Sequence, residues 1–391
     1  MSLKNESKQA MEDTRSLYRE YTEGMTRERI SRELQSDTKR LKELFNEAAG
    51  SDTDDKTGEP VPFVARAGRF IKVVTGRMNP TRRLVFGLSF IGFTYSTIFS
   101  GLLPDLLMPA SFLAMAAILM LELLEKLDVK KEIDLAKEIQ ISLLPSPEIR
   151  VQNLDIHSFA NTAHDVGGDY IDIITTPKGV YYIIADVSGK GLSAALYMVR
   201  MQALVHLIIK KQDPSPKQLF LELNDYIKSY RNDKTFITAC AAFFPKGENH
   251  FLFARAGHNP PLHFKRAKDS TYLMQSTGFA LGMTRTDRLE KFMKEVTVPY
   301  ETGDSFLFYT DGLTEARNES GEEFGMERAR SLLDIYGSLE PHVIVKKVQS
   351  SIENFIGDMP TTDDVTYSCI RMMPHPPEKS KEAEIVEEAS R

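Results

Sequence analysis

The sequence predicts an α+β protein in which a helical transmembrane hairpin and a linker helix precede a layered domain of antiparallel strands covered by helices. Two observations predict this fold class. Two nearly uncharged stretches follow each other in the first third of the chain, and short β-rich runs alternating with two long helical runs fill the part beyond residue 150. The composition, 42% hydrophobic and 27% charged over 391 residues, is typical of a globular protein.

The net charge and the cysteine content exclude several kinds of function. Because the net charge is -6 and both signs are interspersed, the chain has no broad basic surface, and we expect no nucleic-acid partner. Cys240 and Cys369 are the only cysteines, and both lie in apolar runs. They are typical of buried thiols in a reducing compartment, and they can form neither a disulfide framework nor a cysteine-based metal site.

The N-terminal region is predicted to be a charged arm. Residues 1–58 combine a charge-rich segment, whose apolar positions have helical spacing, with a polar linker. The arm is either a regulatory or interaction element or a plain solvated helix. Residues 59–83 form a basic juxtamembrane segment.

Residues 84–124 are predicted to form a two-helix membrane hairpin. The run from Leu84 to Leu103 contains no charged residue, and its twenty positions span ~30 Å as a helix, the thickness of a bilayer core. A second, shorter run extends from Leu106 to Leu121, and Pro104-Asp105 is predicted to form the tight outer turn. The alternative is a buried helical hairpin in a soluble core, but the runs have no polar face.

Basic residues on both sides of the hairpin predict its orientation. They are Arg66, Arg69, Lys72, Arg77, Arg82 and Arg83 before the first run, and Lys126, Lys130 and Lys131 after the second. Since basic flanks stay on the cytoplasmic side, we expect a multi-pass protein of the cytoplasmic (inner) membrane whose two ends both face the cytoplasm.

Residues 125–146 are predicted to form a linker helix. Val129, Ile133, Ala136, Gln140 and Leu143 recur at spacings of four and three, and Pro145 ends the pattern. The helix is either the seam of a short coiled coil, which would give a homodimer, or a helix packed on its own domain.

The folded domain is predicted to extend over residues 147–373, with a disordered tail at 374–391. Its helical runs are Leu192–Lys211 and Pro216–Tyr230. Its clearest β-rich runs are GVYYIIADVSG, TFITACAAFF, HFLFARAG, SFLFYTDG and DVTYSCIRM. The tail is rich in proline and charge.

Four acidic motifs lie at ends of predicted strands. Their carboxylates are Asp169 in VGGDYID, Asp186 in IIADVSG, Asp311 in FYTDGLT, and Asp363 with Asp364 in TTDDVT. One Asp-Gly motif alone is more often a turn, but several carboxylates together would repel one another unless cations lay between them. Since only hard oxygen donors are present, the sequence favours Mg²⁺ or Mn²⁺.

These motifs carry a resemblance to a known family. The segments VGGDYID, ADVSGKGLSAALYM, FITA, AGHNPPL, YTDGLTEARN and TDDVT occur in the order and spacing of the SpoIIE/RsbU branch of the PPM-type, or type 2C, serine/threonine protein phosphatases. KEIQISLLP resembles the linker helix of RsbU-like proteins. The resemblance covers Val151 to Met372 and implies a four-layer αββα sandwich with two Mn²⁺ or Mg²⁺ ions between its sheets.

The resemblance also implies the ligand set. Asp186 would bridge the two ions and Val187 would contribute its main-chain carbonyl, while Asp169, Asp311 and Asp364 would complete the set. Asp363, Gly168 and Gly189 would lie just outside the ligands, and the two glycines would keep the loops close together. The bound ions would neutralise the phosphate dianion and activate a water molecule. Neither cysteine lies in a C-x5-R motif that would support a covalent route.

The proton donor is not assigned by the resemblance. Eukaryotic members of the family place a histidine shortly after the bridging aspartate, where this chain has Ser188. His164 and His258 are the nearest histidines by motif, and each is either a proton donor or a structural hydrogen-bonding group. Lys190 either approaches the substrate phosphate or is solvated.

The function implied is a membrane-anchored, metal-dependent protein serine/threonine phosphatase. By resemblance, its substrate is a phosphorylated STAS-domain anti-sigma factor antagonist in a bacterial partner-switching pathway. The alternative from another class is a membrane-tethered pseudophosphatase or phosphoprotein-binding scaffold, although a pure binding module has no need of so many clustered carboxylates. A channel is disfavoured because the two spans offer no polar pathway.

Overall fold

The computed structural model describes residues 38, 45, 62–76, 78–163, 165–229, 235–357, 359 and 361–375. Nearly all of the predicted N-terminal arm, most of the predicted tail, and His164 lie outside the described residues. The chain divides into two compact units, Met1–Lys126 and Leu127–Arg391.

The first unit contains α1 (Phe63–Gly76), α2 (Pro80–Ile98) and most of α3 (Leu102–Leu143). The connection between α2 and α3 lies at residues 99–101, so the turn predicted at Pro104-Asp105 is wrong. Both residues belong to the first turn of α3, where proline needs no main-chain donor and an acidic side chain faces the positive end of the helix. Gly101, with φ of +137°, provides the turn instead.

The helix α3 is continuous over 42 residues. It includes both the second predicted membrane run and the predicted linker helix, and the boundary between the two compact units falls within it. It ends at Leu143, because Pro145 disfavours helical geometry in the residue before it.

Within the first unit, α2 and α3 pack closely where their side chains are small. A Cβ atom at Gly92 would lie 2.7 Å from Ser111 Oγ, so glycine permits this approach. Arg82 of α2 forms ion pairs with Glu122 and Glu125 of α3, so the two helices run as a hairpin. Large apolar side chains on both helices are exposed, reaching 82% at Leu102.

In the part of the chain that the structure describes, two helices are long and apolar enough to cross a membrane: α3, with mean hydropathy 2.1, and Leu192–Gln212, with 1.6. The second is a core helix of the folded domain. Helix α2 does not reach the same hydropathy, since Arg82 and Arg83 lie near its start.

The second unit contains two antiparallel sheets. The six-stranded sheet has the order β1-β2-β11-β10-β7-β8 and the five-stranded sheet the order β3-β4-β5-β6-β9. The strands are β1 (Glu148–Val151), β2 (Leu154–Asn161), β3 (Asp169–Thr176), β4 (Gly179–Val187), β5 (Ile237–Pro245), β6 (His250–Ala256), β7 (Leu262–Lys265), β8 (Ser270–Leu273), β9 (Glu295–Pro299), β10 (Ser305–Tyr309) and β11 (Val365–Met372).

Helices cover the outer face of each sheet. They are α4 (Leu192–Gln212), α5 (Pro216–Ser229), α6 (Thr286–Phe292), α7 (Asp311–Thr314), α8 (Gly325–Tyr336) and α9 (Pro341–Ile356). Alternation along the strands divides their side chains between layers: in β4, Tyr182 packs between the sheets, whereas Tyr181 packs under α4 and α5. A third cluster lies between the six-stranded sheet and α8 with α9. The predicted αββα sandwich is confirmed.

Candidate active site

The five-stranded sheet places two carboxylates side by side. Asp169 begins β3 and is the direct partner of Asp186 near the end of β4. Asp186 is in turn the partner of Thr238 in β5. Directly opposite side chains of antiparallel strands lie on one face, so these three residues form a row across the end of the sheet.

The six-stranded sheet brings further carboxylates to the same end. Asp311 follows β10, and Asp363 and Asp364 precede β11. The buried Thr310 Oγ1 donates a hydrogen bond of 2.9 Å to Asp169 Oδ2, which joins the two sheets here. The structure therefore brings together the four motifs that lie far apart in the sequence.

The charges of this acidic centre oppose one another. Burial and then the charge of Asp186 raise the pKa of Asp169 well above its usual value. Burial raises the pKa of Asp186 to about 7, and the contributing negative charges are those of Asp311, Asp363 and Asp364. A bound cation would relieve this repulsion.

Lys190 lies at the edge of the acidic centre. Its Nζ is 2.9 Å from Asp363 Oδ2 and donates a hydrogen bond of 2.7 Å to the carbonyl oxygen of Thr362. The hydrogen bond with Asp363 raises the pKa of Lys190. Lys190 is thus neither simply solvated nor unpaired, because Asp363 holds it beside the site.

The Gly167-Gly168 pair permits close contacts with Asp364 and Val187. The carboxylate of Asp364 accepts hydrogen bonds from the amides of Ala163 (2.9 Å) and Gly168 (2.7 Å). A Cβ atom at Gly167 would lie 2.5 Å from Asp364 Oδ2, and one at Gly168 would lie 3.0 Å from the carbonyl oxygen of Val187.

Gly189 has a different role from the one expected. A Cβ atom there would meet open space, so Gly189 is not required for a close approach of loops. Its φ of +105° is instead a conformation that favours glycine.

Gln140 is a site contact that the sequence did not reveal. It is 6% exposed, and its Nε2 donates to the carbonyl oxygen of Gly167 (2.6 Å) while its Oε1 accepts from the Gly167 amide (3.1 Å). The helical spacing allows Gln140 to lie either on a coiled-coil seam or on a helix packed on its own domain. At this position the structure agrees with the second, a helix packed on its own domain.

Ser188, at the position of the family's histidine, and the proton-donor candidate His258 both have structural contacts. Ser188 Oγ accepts a hydrogen bond from the Phe236 amide (2.9 Å). His258 is 3% exposed, and its Nδ1 is hydrogen-bonded to Thr238 Oγ1 at 2.8 Å. Burial lowers the pKa of His258 to about 4, so its imidazole is neutral near pH 7.

The acidic centre fits a divalent cation by its donor chemistry, since carboxylates and the Val187 carbonyl are hard oxygen ligands. Among the residues that the structure describes, no three histidine, cysteine, aspartate or glutamate side chains form a group that could hold one ion. The oxygens of Asp364 are already engaged by two amides. The ligand set implied by the resemblance therefore stays a prediction, and it requires main-chain or water ligands in addition.

Residues 176–373 match the family model described as stage II sporulation protein E (SpoIIE). The chain belongs to the SpoIIE family. Asp186, Asp311 and Asp364 lie inside the match, whereas Asp169 precedes it.

Two curated relatives support the assignment. The chain is 27% identical over 238 residues to phosphoserine phosphatase RsbU of Bacillus subtilis, covering 59% of this chain and 67% of RsbU. It is 23% identical over 258 residues to protein IcfG of a Synechocystis species, covering 59% of this chain and 40% of IcfG. The predicted enzyme class, a serine/threonine phosphatase of the SpoIIE/RsbU type, is confirmed.

Two solved structures have the same fold. The SiaA-PP2C domain of Pseudomonas aeruginosa superposes with a TM-score of 0.55 at 20% identity, covering 63% of this chain and 98% of that domain. The RsbU and RsbW domains of a Mycobacterium tuberculosis protein superpose with a TM-score of 0.50 at 22% identity, covering 62% and 68%.

Proposed function

We propose that this SpoIIE-family chain is a membrane-anchored, metal-dependent phosphatase that hydrolyses phosphoserine or phosphothreonine on a regulatory protein. The observation that carries the proposal is the acidic centre, where Asp169 and Asp186 of one sheet meet Asp311 and Asp364 of the other. Its carboxylates repel one another unless a cation lies between them, and the same negative charges would repel a phosphate that approached without a cation.

Asp186, Asp169, Asp311, Asp364 and the Val187 carbonyl would hold two Mn²⁺ or Mg²⁺ ions. Bound there, the ions would supply charge neutralisation for the phosphate and a water molecule of lowered pKa. The hydrogen bond from Thr310 orients Asp169.

Cysteine chemistry does not compete with this route. Cys240 and Cys369 are both fully buried, and burial raises the pKa of each thiol. A protonated thiol inside the core is not a nucleophile for an external phosphoprotein.

The exposed apolar side chains of α2 and α3 support membrane anchoring through residues 84–124, with the phosphatase domain in the cytoplasm. The contact between Gln140 and Gly167 supports regulation through the linker helix, as a monomer or as a homodimer. Deleting residues 1–125 tests this: an altered specific activity or oligomeric state is expected, and a fragment unchanged in both would contradict it.

The substrate proposed is a phosphorylated STAS-domain anti-sigma factor antagonist. Support comes from the relative named phosphoserine phosphatase RsbU and from the M. tuberculosis protein in which an RsbU domain and an RsbW domain occur together. Incubating the chain with a phosphorylated STAS protein and with an unrelated phosphoserine protein tests this choice, and equal rates of release from both would contradict it.

The activity itself is tested by phosphate release from p-nitrophenyl phosphate, using the full chain in detergent with Mn²⁺, Mg²⁺ or EDTA. We expect release that requires metal and is lost in Asp186→Asn. The matched control is Asp287→Asn, because Asp287 is exposed and pairs with Arg285 on the surface. If the folded chain releases no phosphate under any metal condition, the pseudophosphatase or scaffold is favoured instead.

A further inference from the structure

His258 lies beside the acidic centre without belonging to it. It is in the loop between β6 and β7, and its imidazole is almost fully buried. Its Nδ1 is bonded to Thr238 Oγ1, and Thr238 is the direct cross-strand partner of Asp186. The imidazole is therefore attached to the residue next to Asp186 in the five-stranded sheet.

The same loop is attached to the segment that carries Asp311. Asn259, the residue after His258, donates from Nδ2 to Thr314 Oγ1 at 3.4 Å. Thr314 Oγ1 donates in turn to the carbonyl oxygen of Asp311 at 3.1 Å. Two consecutive loop residues thus connect the elements that hold Asp186 and Asp311.

Arg255 fixes this loop. Its guanidinium donates to the carbonyl oxygen of His258 and, through Nε and Nη2, to the carbonyl oxygen of Ser276 at 3.0 and 2.6 Å. The imidazole Nε2 is buried, and the main chain of Tyr309 in β10 lies close enough to raise the pKa of His258 against the effect of burial.

We propose that His258 is a positioning residue that sets the separation of Asp186 and Asp311, and that it is not the proton donor of the reaction. The inference rests on the proposed phosphatase function. The imidazole is almost fully buried and its Nδ1 is bonded to Thr238, so both the solvent and an external phosphoprotein are kept away from it. Its bond to Thr238 and the bond of Asn259 to Thr314 hold the two carboxylates at a fixed separation across the two sheets.

The test uses three variants of the full chain in detergent: His258→Leu, Thr238→Val and Thr238→Ser. Valine has the shape of threonine without its hydroxyl, and serine keeps the hydroxyl, so Thr238→Ser is the matched control. Circular dichroism establishes folding, and isothermal titration calorimetry measures the dissociation constant for Mn²⁺ directly. We expect His258→Leu and Thr238→Val to weaken Mn²⁺ binding by ~10-fold or more, as residues supporting metal ligands commonly do, and Thr238→Ser to stay near the unmodified value.

The second readout compares two phosphate esters at saturating Mn²⁺. Phenyl phosphate has a poorer leaving group than p-nitrophenyl phosphate and depends more on a proton donor. A positioning role predicts the same fractional loss of kcat for both esters in His258→Leu. A loss confined to phenyl phosphate, or an unchanged Mn²⁺ dissociation constant in folded Thr238→Val and His258→Leu, would overturn the proposal.

The two readouts separate this inference from the proposed function. If the unmodified chain binds Mn²⁺ but releases no phosphate, the proposed activity fails while calorimetry still decides the positioning role. If the unmodified chain binds neither Mn²⁺ nor Mg²⁺, both are refuted.

Discussion

Replacing Gln140 with alanine would break the contact between α3 and the Gly167 loop. Gln140 makes two hydrogen bonds to the main chain of Gly167, one as donor and one as acceptor. Gly167 is itself buried and lies between Ala163 and Gly168, the two residues whose amides bind Asp364. The change should therefore loosen the loop that holds one carboxylate of the acidic centre.

The size of the effect follows from these two bonds. Each buried hydrogen bond contributes ~1 kcal/mol net, and leaving its main-chain partner unsatisfied costs ~1–3 kcal/mol. A loss of ~2 kcal/mol is the lower expectation for Gln140→Ala. Since ~1.4 kcal/mol corresponds to a factor of ten, the open form of the loop becomes ~30-fold more populated.

Hydrogen–deuterium exchange measures this opening at the amide of Gly167, which is bonded to Gln140 Oε1. We expect the Gly167 amide to exchange ~30-fold faster in Gln140→Ala than in the unmodified chain. We also expect phosphatase activity to depend less on the linker helix, because this helix has lost its contact with the loop. The matched control is Gln202→Ala. Gln202 of α4 donates from Nε2 to the carbonyl oxygen of Leu143, which belongs to α3 as Gln140 does, but Gln202 does not contact Gly167. Unchanged exchange at Gly167 in Gln140→Ala, or equal acceleration in both variants, would refute the reasoning.

Three further predictions concern packing, pH and thiols. A Cβ atom in Gly312→Ala would overlap the carbonyl oxygen of Asp364, so we expect phosphatase activity to fall at least ~10-fold. Gly68→Ala, with open space around it, is the control, and equal activities of the two variants would contradict this prediction. Burial alone would raise the pKa of Asp304, but hydrogen bonds from His263 and main-chain amides lower it below its usual value. Asp304→Asn should therefore lower the free energy of unfolding by ~2 kcal/mol near pH 7, and this difference should disappear as pH falls through the pKa of Asp304. Urea unfolding of both chains at neutral and at acidic pH measures the difference, and a difference that stays constant would contradict the prediction. Because both thiols are buried with raised pKa values, iodoacetamide should leave the activity of the folded chain unchanged, and inactivation would argue against the buried placement.

The layered fold was largely predictable from local patterns. Strand β4 reads as a continuous apolar run because it is covered on both faces, and the predicted helix Leu192–Lys211 ends one residue short of the observed one. The turn between α2 and α3 was misplaced because proline and aspartate are common both in turns and in first helical turns, and sequence alone does not separate the two.

The acidic residues could be predicted from their positions at strand ends, but their supports could not. The contact of Gln140 with Gly167 could not be predicted, because its helical spacing is the same whether the helix faces a second chain or its own domain. The bridge made by His258 depends on pairing between strands that are distant in sequence, and no local pattern encodes that register.

Because α3 is continuous, it restricts the lengths of insertions and deletions that can be accepted before Gln140. One residue inserted between Glu125 and Gln140 turns the side chains on either side of it by about 100° relative to each other, and shifts them by about 1.5 Å along the axis. Insertions or deletions of seven or eleven residues restore the direction in which Gln140 points to within about 20°. The proposed regulation through the linker helix therefore predicts that chimaeras exchanging the segment before Gln140 respond only when the length of the helix preserves the direction of Gln140.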